Sequence, residues 1–193
     1  VIMDLVVNHT SDQHEWFKKS IEDPDSKYHN YYHWYKGKGK RRPNNWMSTF
    51  AGPAWEYNEK LDEYYLHLFA VEQPDLNMDN PEVREEVKDI MRFWLDMGVD
   101  GFREDVITFI SKKEGLPSSP YWFPVATGIE KYMHGPHLDE YLMEFKHEVL
   151  DKYDCMTVGE APMMTTKKAL KHITDGANQQ LNMMFHFEHM AAD

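Results

Sequence analysis

The sequence predicts an α/β fold in which four parallel strands alternate with helices, roughly half of a (β/α)8 barrel. Three observations predict it. Apolar runs rich in strand-forming residues lie at 1–8, 99–107, 156–161 and 181–187. Segments with apolar residues at helical spacing separate the later ones. Ionisable side chains gather where the strands end, which favours a barrel over an open sheet. Four strands cannot close a barrel, so the chain is expected to be a piece of a larger one.

Residues 1–8 read as a buried first strand, Val1 to Val7, running into the pair Asn8-His9. From Thr10 to Asp79, glycines, prolines and aromatics are scattered and helical periodicity is weak. Within that stretch Trp55-Glu56-Tyr57 and Asp62 to Phe69 alternate like the two arms of a hairpin. The excursion is too long for an ordinary loop. Its basic run, Lys36 to Arg42, reads as a solvated turn. Regular structure resumes at Asn80, which can cap a helix whose first position suits Pro81. Val83, Val87, Ile90 and Trp94 recur on one face, and Gly98 can end the helix. The next strand spans Val99 to Ile107, and a crossover of this kind makes the two strands parallel neighbours. Leu138, Leu142, Phe145 and Val149 mark a second helix over 138–152, and a strand follows from Met156 to Ala161. A helix begins at Thr165 or Thr166, and Leu181 to Phe187 is the last strand.

Composition excludes some classes of function. Lys plus Arg number 21 against 33 Asp plus Glu, and the net charge of -12 argues against a nucleic-acid or anionic-membrane partner. Aromatics at 14% suit both a packed core and the stacking that binds neutral sugars. The single cysteine, Cys155, permits no disulfide within the chain, which fits a reducing, cytoplasmic setting. No signal peptide or membrane span is evident, although the chain starts inside a strand without an initiator Met.

The strand ends carry the chemistry. Arg103 and Asp105 are two residues apart and share a strand face. A guanidinium beside a carboxylate favours its ionised form, as a glycosyl nucleophile requires. Glu160 follows Gly159, which permits close backbone approach, and could act as acid and then base. Breaking a glycosidic bond needs two positioned carboxyl groups of this kind. Each taken singly could be a plain ion pair or an exposed Glu; with Asp4, Asn8 and His9 on a neighbouring strand they read as a site.

These segments together resemble the α-amylase family of glycoside hydrolases (family 13), essentially from end to end. Asp4-Leu5-Val6-Val7-Asn8-His9 is similar to the family's first signature. Gly101-Phe102-Arg103-Glu104-Asp105 resembles the second, and Val158-Gly159-Glu160 the third. The resemblance implies a partial (β/α)8 TIM barrel with residues 1–9 as strand 3, 10–79 as an inserted loop-rich domain B, and 80–193 as helices and strands 4 to 6. It implies Asp105 as nucleophile and Glu160 as acid/base in a retaining double displacement. Asp4, His9 and Arg103 would bind the sugar, with Phe50 and Gln73 near the entrance or first subsite. Gln73-Pro74-Asp75-Leu76-Asn77 and Ile110 to Pro117 resemble oligo-1,6-glucosidases and their close relatives. Val106, directly after the nucleophile, points the same way, towards α-1,6 links.

The implied partner is a small α-linked oligosaccharide, with no cofactor required and calcium possible in a full-length parent. Asn8 would be the candidate calcium ligand, since the Asn of the first signature ligates calcium in some relatives. The His29/His33, His186/His189 and Glu144/His147 pairs have ligand-like spacing but no convergent third group, so no metal site is expected of them. The family's third carboxylate follows a His, and no His-Asp dipeptide occurs here, so the isolated chain is expected to be nearly inactive. Glu104 departs from the family, whose members commonly carry an apolar residue there. Alternation points it at the helix layer, where an unpaired carboxylate is costly. Met78 and Ala161-Pro162-Met163 depart too, and bear on linkage preference. Trehalose-6-phosphate hydrolase, α-1,4-glucosidase and sucrose isomerase are the alternatives within the family. A non-catalytic relative and a binding module are the alternatives outside catalysis.

Overall fold

The computed structural model describes residues 1–37, 39–174, 176, 178–185 and 187. Strand β1 (Ile2–Leu5) opens the chain. Only four residues long, it is followed by Val7, a bend at Asn8 and an isolated bridge from His9 to Asp75, with Val7, Asn8 and His9 all buried. Helix α1 (Glu15–Glu22) comes next, and the sequence reading missed it. It has two turns, and its cap is a histidine, His14, whose side chain accepts from the Trp16 amide. A helix this short is stabilised chiefly by burying Phe17 and Ser20, which local propensity does not report.

Strands β2 (Trp34–Tyr35), β3 (Trp55–Asn58) and β4 (Glu63–Leu66) form an antiparallel sheet in the order β2-β4-β3. The β3–β4 pair is the expected hairpin, with Trp55 opposite Leu66. Lys36, Lys40, Arg41 and Arg42 of the basic run are all exposed.

Helix α2 (Pro81–Asp96) starts as anticipated, with the Asn80 side chain accepting from the Glu82 amide at 3.0 Å. It ends at Gly98, whose φ of +91° is the left-handed turn that glycine tolerates best. Strand β5 (Gly101–Glu104) is shorter than the expected Val99–Ile107. The chain leaves the sheet because Val106 turns left-handed, φ 38°, and residues 107–109 form a single 3₁₀ turn. Helices α3 (Ile129–Tyr132) and α4 (Leu138–Glu148) lead to β6 (Met156–Glu160). Helix α5 (Thr166–Ile173) leads to β7 (Met183–Phe185), shorter than the expected 181–187; of that range, residue 186 lies outside the described residues.

β1, β5, β6 and β7 lie side by side in that order, all parallel. The sheet is therefore an open arc of consecutive barrel strands with helices between them in sequence. One apolar cluster joins Leu5 and Phe102 of the sheet to Val83, Val87 and Met91 of α2 and to Leu142 and Phe145 of α4. Phe17, Tyr31, Tyr32 and Leu76 of the excursion enter the same cluster, so the insertion packs on the barrel core. A second cluster sets Trp46, Trp55 and Leu68 against Val106, Phe109 and Tyr132. α2 and α4 are also tied by charge: Arg84 meets Glu144 at 2.7 Å, and the buried Lys88 meets Glu144 at 2.9 Å and Glu148 at 2.6 Å.

β1 was expected to be buried, yet Ile2 and Val6 are exposed because no described strand lies outside it. Among the described residues no helix is long and apolar enough to cross a membrane.

Candidate active site

Parallel register aligns Asp4 with Arg103 and Arg103 with Val158, and it sets Glu104 beside Gly159. Asp105 and Glu160 consequently emerge from the same end of adjacent strands. The two-residue period turns Arg103 and Asp105 to one side and Phe102 and Glu104 to the other, where both are 1% exposed. A Cβ at Gly159 would come within 2.6 Å of Leu181 Cδ1, so a larger residue there would displace the end of that side chain.

A single guanidinium organises the carboxylates. Arg103 Nη1 donates to Asp4 Oδ1 at 2.6 Å and to Asp105 Oδ1 at 2.5 Å. Its Nη2 forms an ion pair with Glu160 Oε2. Arg103 also lies over the Phe185 ring, 5.8 Å from its centre. Three carboxyl groups thus converge on one guanidinium, which offsets the repulsion between those that are ionised. Glu160 is 7% exposed and Asp4 more than half exposed, so the cluster runs from the interior at Glu160 to the surface at Asp4.

His9 lies on the neighbouring strand end, nearly buried, and burial lowers its pKa. Gln73 donates from Nε2 to His9 Nε2 at 3.0 Å, while Gln73 Oε1 accepts from the Ala70 amide at 3.0 Å. The second bond fixes which way the amide faces. His9 stacks obliquely on Phe69 at 5.2 Å, and Phe69 meets Phe50 edge-on at 5.6 Å. Phe50 is 68% exposed and stands on the rim. Val106 is only 6% exposed and turns into the apolar cluster with Trp46 and Phe109. A β-branched residue at positive φ is strained by about 1–3 kcal/mol.

Behind His9 lies a buried polar knot. Lys112 Nζ meets Asp75 Oδ2 at 2.8 Å and donates to Asn8 Oδ1 at 2.9 Å. Asn8 Nδ2 donates to Asp75 Oδ2 at 3.0 Å, and the Leu68 amide donates to Asp75 Oδ1 at 2.9 Å. Asn8, the candidate calcium ligand, has its amide oxygen taken by an ammonium, so its surroundings do not fit a cation. Sequence reasoning quoted Asp75 and Lys112 within motifs but assigned neither a role, and it missed Phe69 and Phe185. The available signal for Lys112 was that it is the first charge after the largely apolar run from Val106 to Ser111 that follows the strand end. For the two phenylalanines there was none.

Among the described residues no three His, Cys, Asp or Glu side chains group to hold a metal. Glu144 is engaged by Arg84 and Lys88, and His147 by Asp151 at 2.9 Å. His29 faces Glu63 at 3.2 Å. His186 and His189 lie outside the described residues.

Residues 1–193 match the description "Alpha amylase, catalytic domain". The oligo-1,6-glucosidase of Parageobacillus thermoglucosidasius is 53% identical over 197 residues, which cover 100% of this chain and 34% of that protein. The oligo-1,6-glucosidase of Bacillus cereus is 52% identical over 194 residues, covering 100% and 35%. The chain thus spans about a third of the length of these relatives. The crystal structure of trehalose-6-phosphate hydrolase from Bacillus licheniformis superposes with a TM-score of 0.94 at 42% identity, covering 100% of this chain and 34% of that one.

Proposed function

This chain belongs to the α-amylase family, and from that premise we propose that it carries the nucleophile and the acid/base of a retaining α-glucosidase. The whole protein removes glucose from the non-reducing end of short α-glucosides, with α-1,6 links preferred. The observation that carries this reading is the grouping of Asp105 and Glu160 on one guanidinium at the ends of adjacent parallel strands.

Asp105, ionised, attacks the anomeric carbon while Glu160, carrying a proton in the resting enzyme, gives that proton to the departing oxygen. Water then attacks the glycosyl–Asp105 ester as Glu160 takes its proton, and two inversions leave the configuration retained. Asp4, His9, Gln73 and Arg103 supply the polar edge of the glucose subsite. Phe69 gives it an apolar wall and Phe50 a rim. Val106 acts on linkage by shaping the wall from behind, since its side chain is buried. Residues 10–79 serve as domain B, contributing Phe50, Phe69 and Gln73 to the barrel's mouth. The third carboxylate comes from outside these residues. The cysteine usage is consistent with a cytoplasmic protein.

Calcium has no part at Asn8, whose Oδ1 accepts from Lys112. The likeness to a trehalose-6-phosphate hydrolase favours one second reading, a phosphorylated α-glucoside as substrate. The test is to assay the complete protein on isomaltose, maltose, trehalose-6-phosphate and sucrose beside its Asp105→Asn variant. Isomaltose cleavage lost in the variant supports the reading. Activity on trehalose-6-phosphate alone replaces the substrate, and activity that survives Asp105→Asn sinks the mechanism.

A further inference from the structure

We propose that the cavity between α4 and α5 is an anion site for a phosphate group, either inorganic phosphate or the phosphate of a sugar ester. The site is separate from the carboxylate cluster and does not depend on which glucoside that cluster cleaves.

The cavity has a volume of about 340 Å³, and its walls include His134, Leu138, Asp139, Lys168, Lys171 and His172. In a chain of net charge -12, two lysines and two histidines against one carboxylate reverse the sign locally. That carboxylate is already engaged. Asp139 pairs with Lys171, accepts from Gln180 Nε2 at 3.1 Å, and has His172 Nδ1 at 3.6 Å. Lys168 is exposed and joins none of the ion pairs among the described residues. His134 Nε2 is enclosed and has no hydrogen-bond partner among the described residues. Burial holds the His134 pKa down at about 4, and its charged neighbours, Lys168 and His172, act in the same direction because both are cations. An unpartnered imidazole beside an unpaired ammonium lacks an acceptor and a negative charge, and an oxyanion supplies both.

The walls are fixed in advance. His134 stands at a left-handed φ of 54°, and its amide donates to the Thr108 carbonyl at 2.8 Å. A Cβ on Gly135 would fall 2.1 Å from the Ser111 carbonyl oxygen, so the turn into α4 sits tightly on the loop after β5. Ser111 Oγ also accepts from the His137 amide at 3.0 Å. On the other wall Lys168, Lys171 and His172 stand three and four residues apart, on one face of α5. His172 Nδ1 is held by Gln180 Oε1. Groups placed beforehand lose little entropy on binding. Donors on two facing walls of a cavity this size suit a tetrahedral oxyanion with several acceptors better than a halide.

The groove also stays clear of the rest of the barrel. α4 connects β5 to β6 and α5 connects β6 to β7, so the groove lies within the arc of strands. Further barrel strands adjoin β1 or β7, and neither wall of the groove is a segment outside these residues.

The test is titration calorimetry on the complete protein at constant ionic strength, with inorganic phosphate and with glucose 6-phosphate, each in the presence of saturating glucose. Phosphate should bind with a Kd of roughly 1 mM. Lys168→Ala and His134→Ala should each weaken it about five- to tenfold, whereas Lys167→Ala, on the same helix but outside the cavity, should change it less than about twofold. Tighter binding of glucose 6-phosphate assigns the site to an ester, and equal or weaker binding assigns it to the free ion. No binding by about 20 mM phosphate overturns the site. So does displacement of phosphate by glucose, which would place the anion at the carboxylate cluster. Binding that survives Lys168→Ala, or that Lys167→Ala weakens equally, overturns it as well.

Discussion

Glu104 is enclosed between the sheet and its helices, 1% exposed, with Oε2 lacking a partner among the described residues. Burial pushes its pKa from 4.5 to about 8. The group is therefore neutral in the folded chain at pH values where the unfolded chain has already ionised it. Below about pH 4.5 both states are protonated and nothing is lost. As pH rises to about 8, stability falls by roughly 1.4 kcal/mol per unit, and above that the loss is constant. Glu104→Met should raise the Tm of the complete protein, with a larger gain at pH 8 than at pH 5. An equal gain at both would mean that the carboxylate is solvated or paired. The residue's direction was legible from strand alternation. Its isolation was not, because that depends on every side chain packed around it.

Among the elements, α2 was the most legible, since cap, first-turn proline, apolar face and closing glycine all agree within one stretch of chain. Asn80→Ala should lower stability by about 1 kcal/mol through loss of the cap, measurable as a reduced midpoint in urea. α1 escaped notice because its stability comes from Phe17 reaching the core. β5 ended early because Val106 turns away to pack on Trp46 and Phe109, contacts invisible to a strand pattern. Lys112 stitches three segments together: the end of β1 through Asn8, the excursion through Asp75, and its own loop after β5. Lys112→Met leaves Asp75 buried without its counter-charge and should cost about 3–5 kcal/mol. A Tm within a degree or two of the parent would show that the knot relaxes or admits water.

At the scale of the whole molecule, an open arc of four parallel strands has consequences. Val6 and Ile90 are exposed together near β1, which has no described strand on its outer side, and Phe93 and Met97 of the α2 region are exposed as well. The 193-residue chain alone should therefore self-associate, and it should turn over glucosides negligibly without the third carboxylate. A monomeric chain in sedimentation, or measurable hydrolysis by it, would contradict this.

The sequence by itself determined the fold class and placed Arg103, Asp105 and Glu160 at strand ends, because strand period and strand ends are local properties. Only the tertiary structure decided that one arginine holds three carboxylates, that Gln73 orients towards His9, and that Lys112 fills the space at Asn8. Those contacts join residues 99, 64 and 104 positions apart, and packing sets such distances where no local period can.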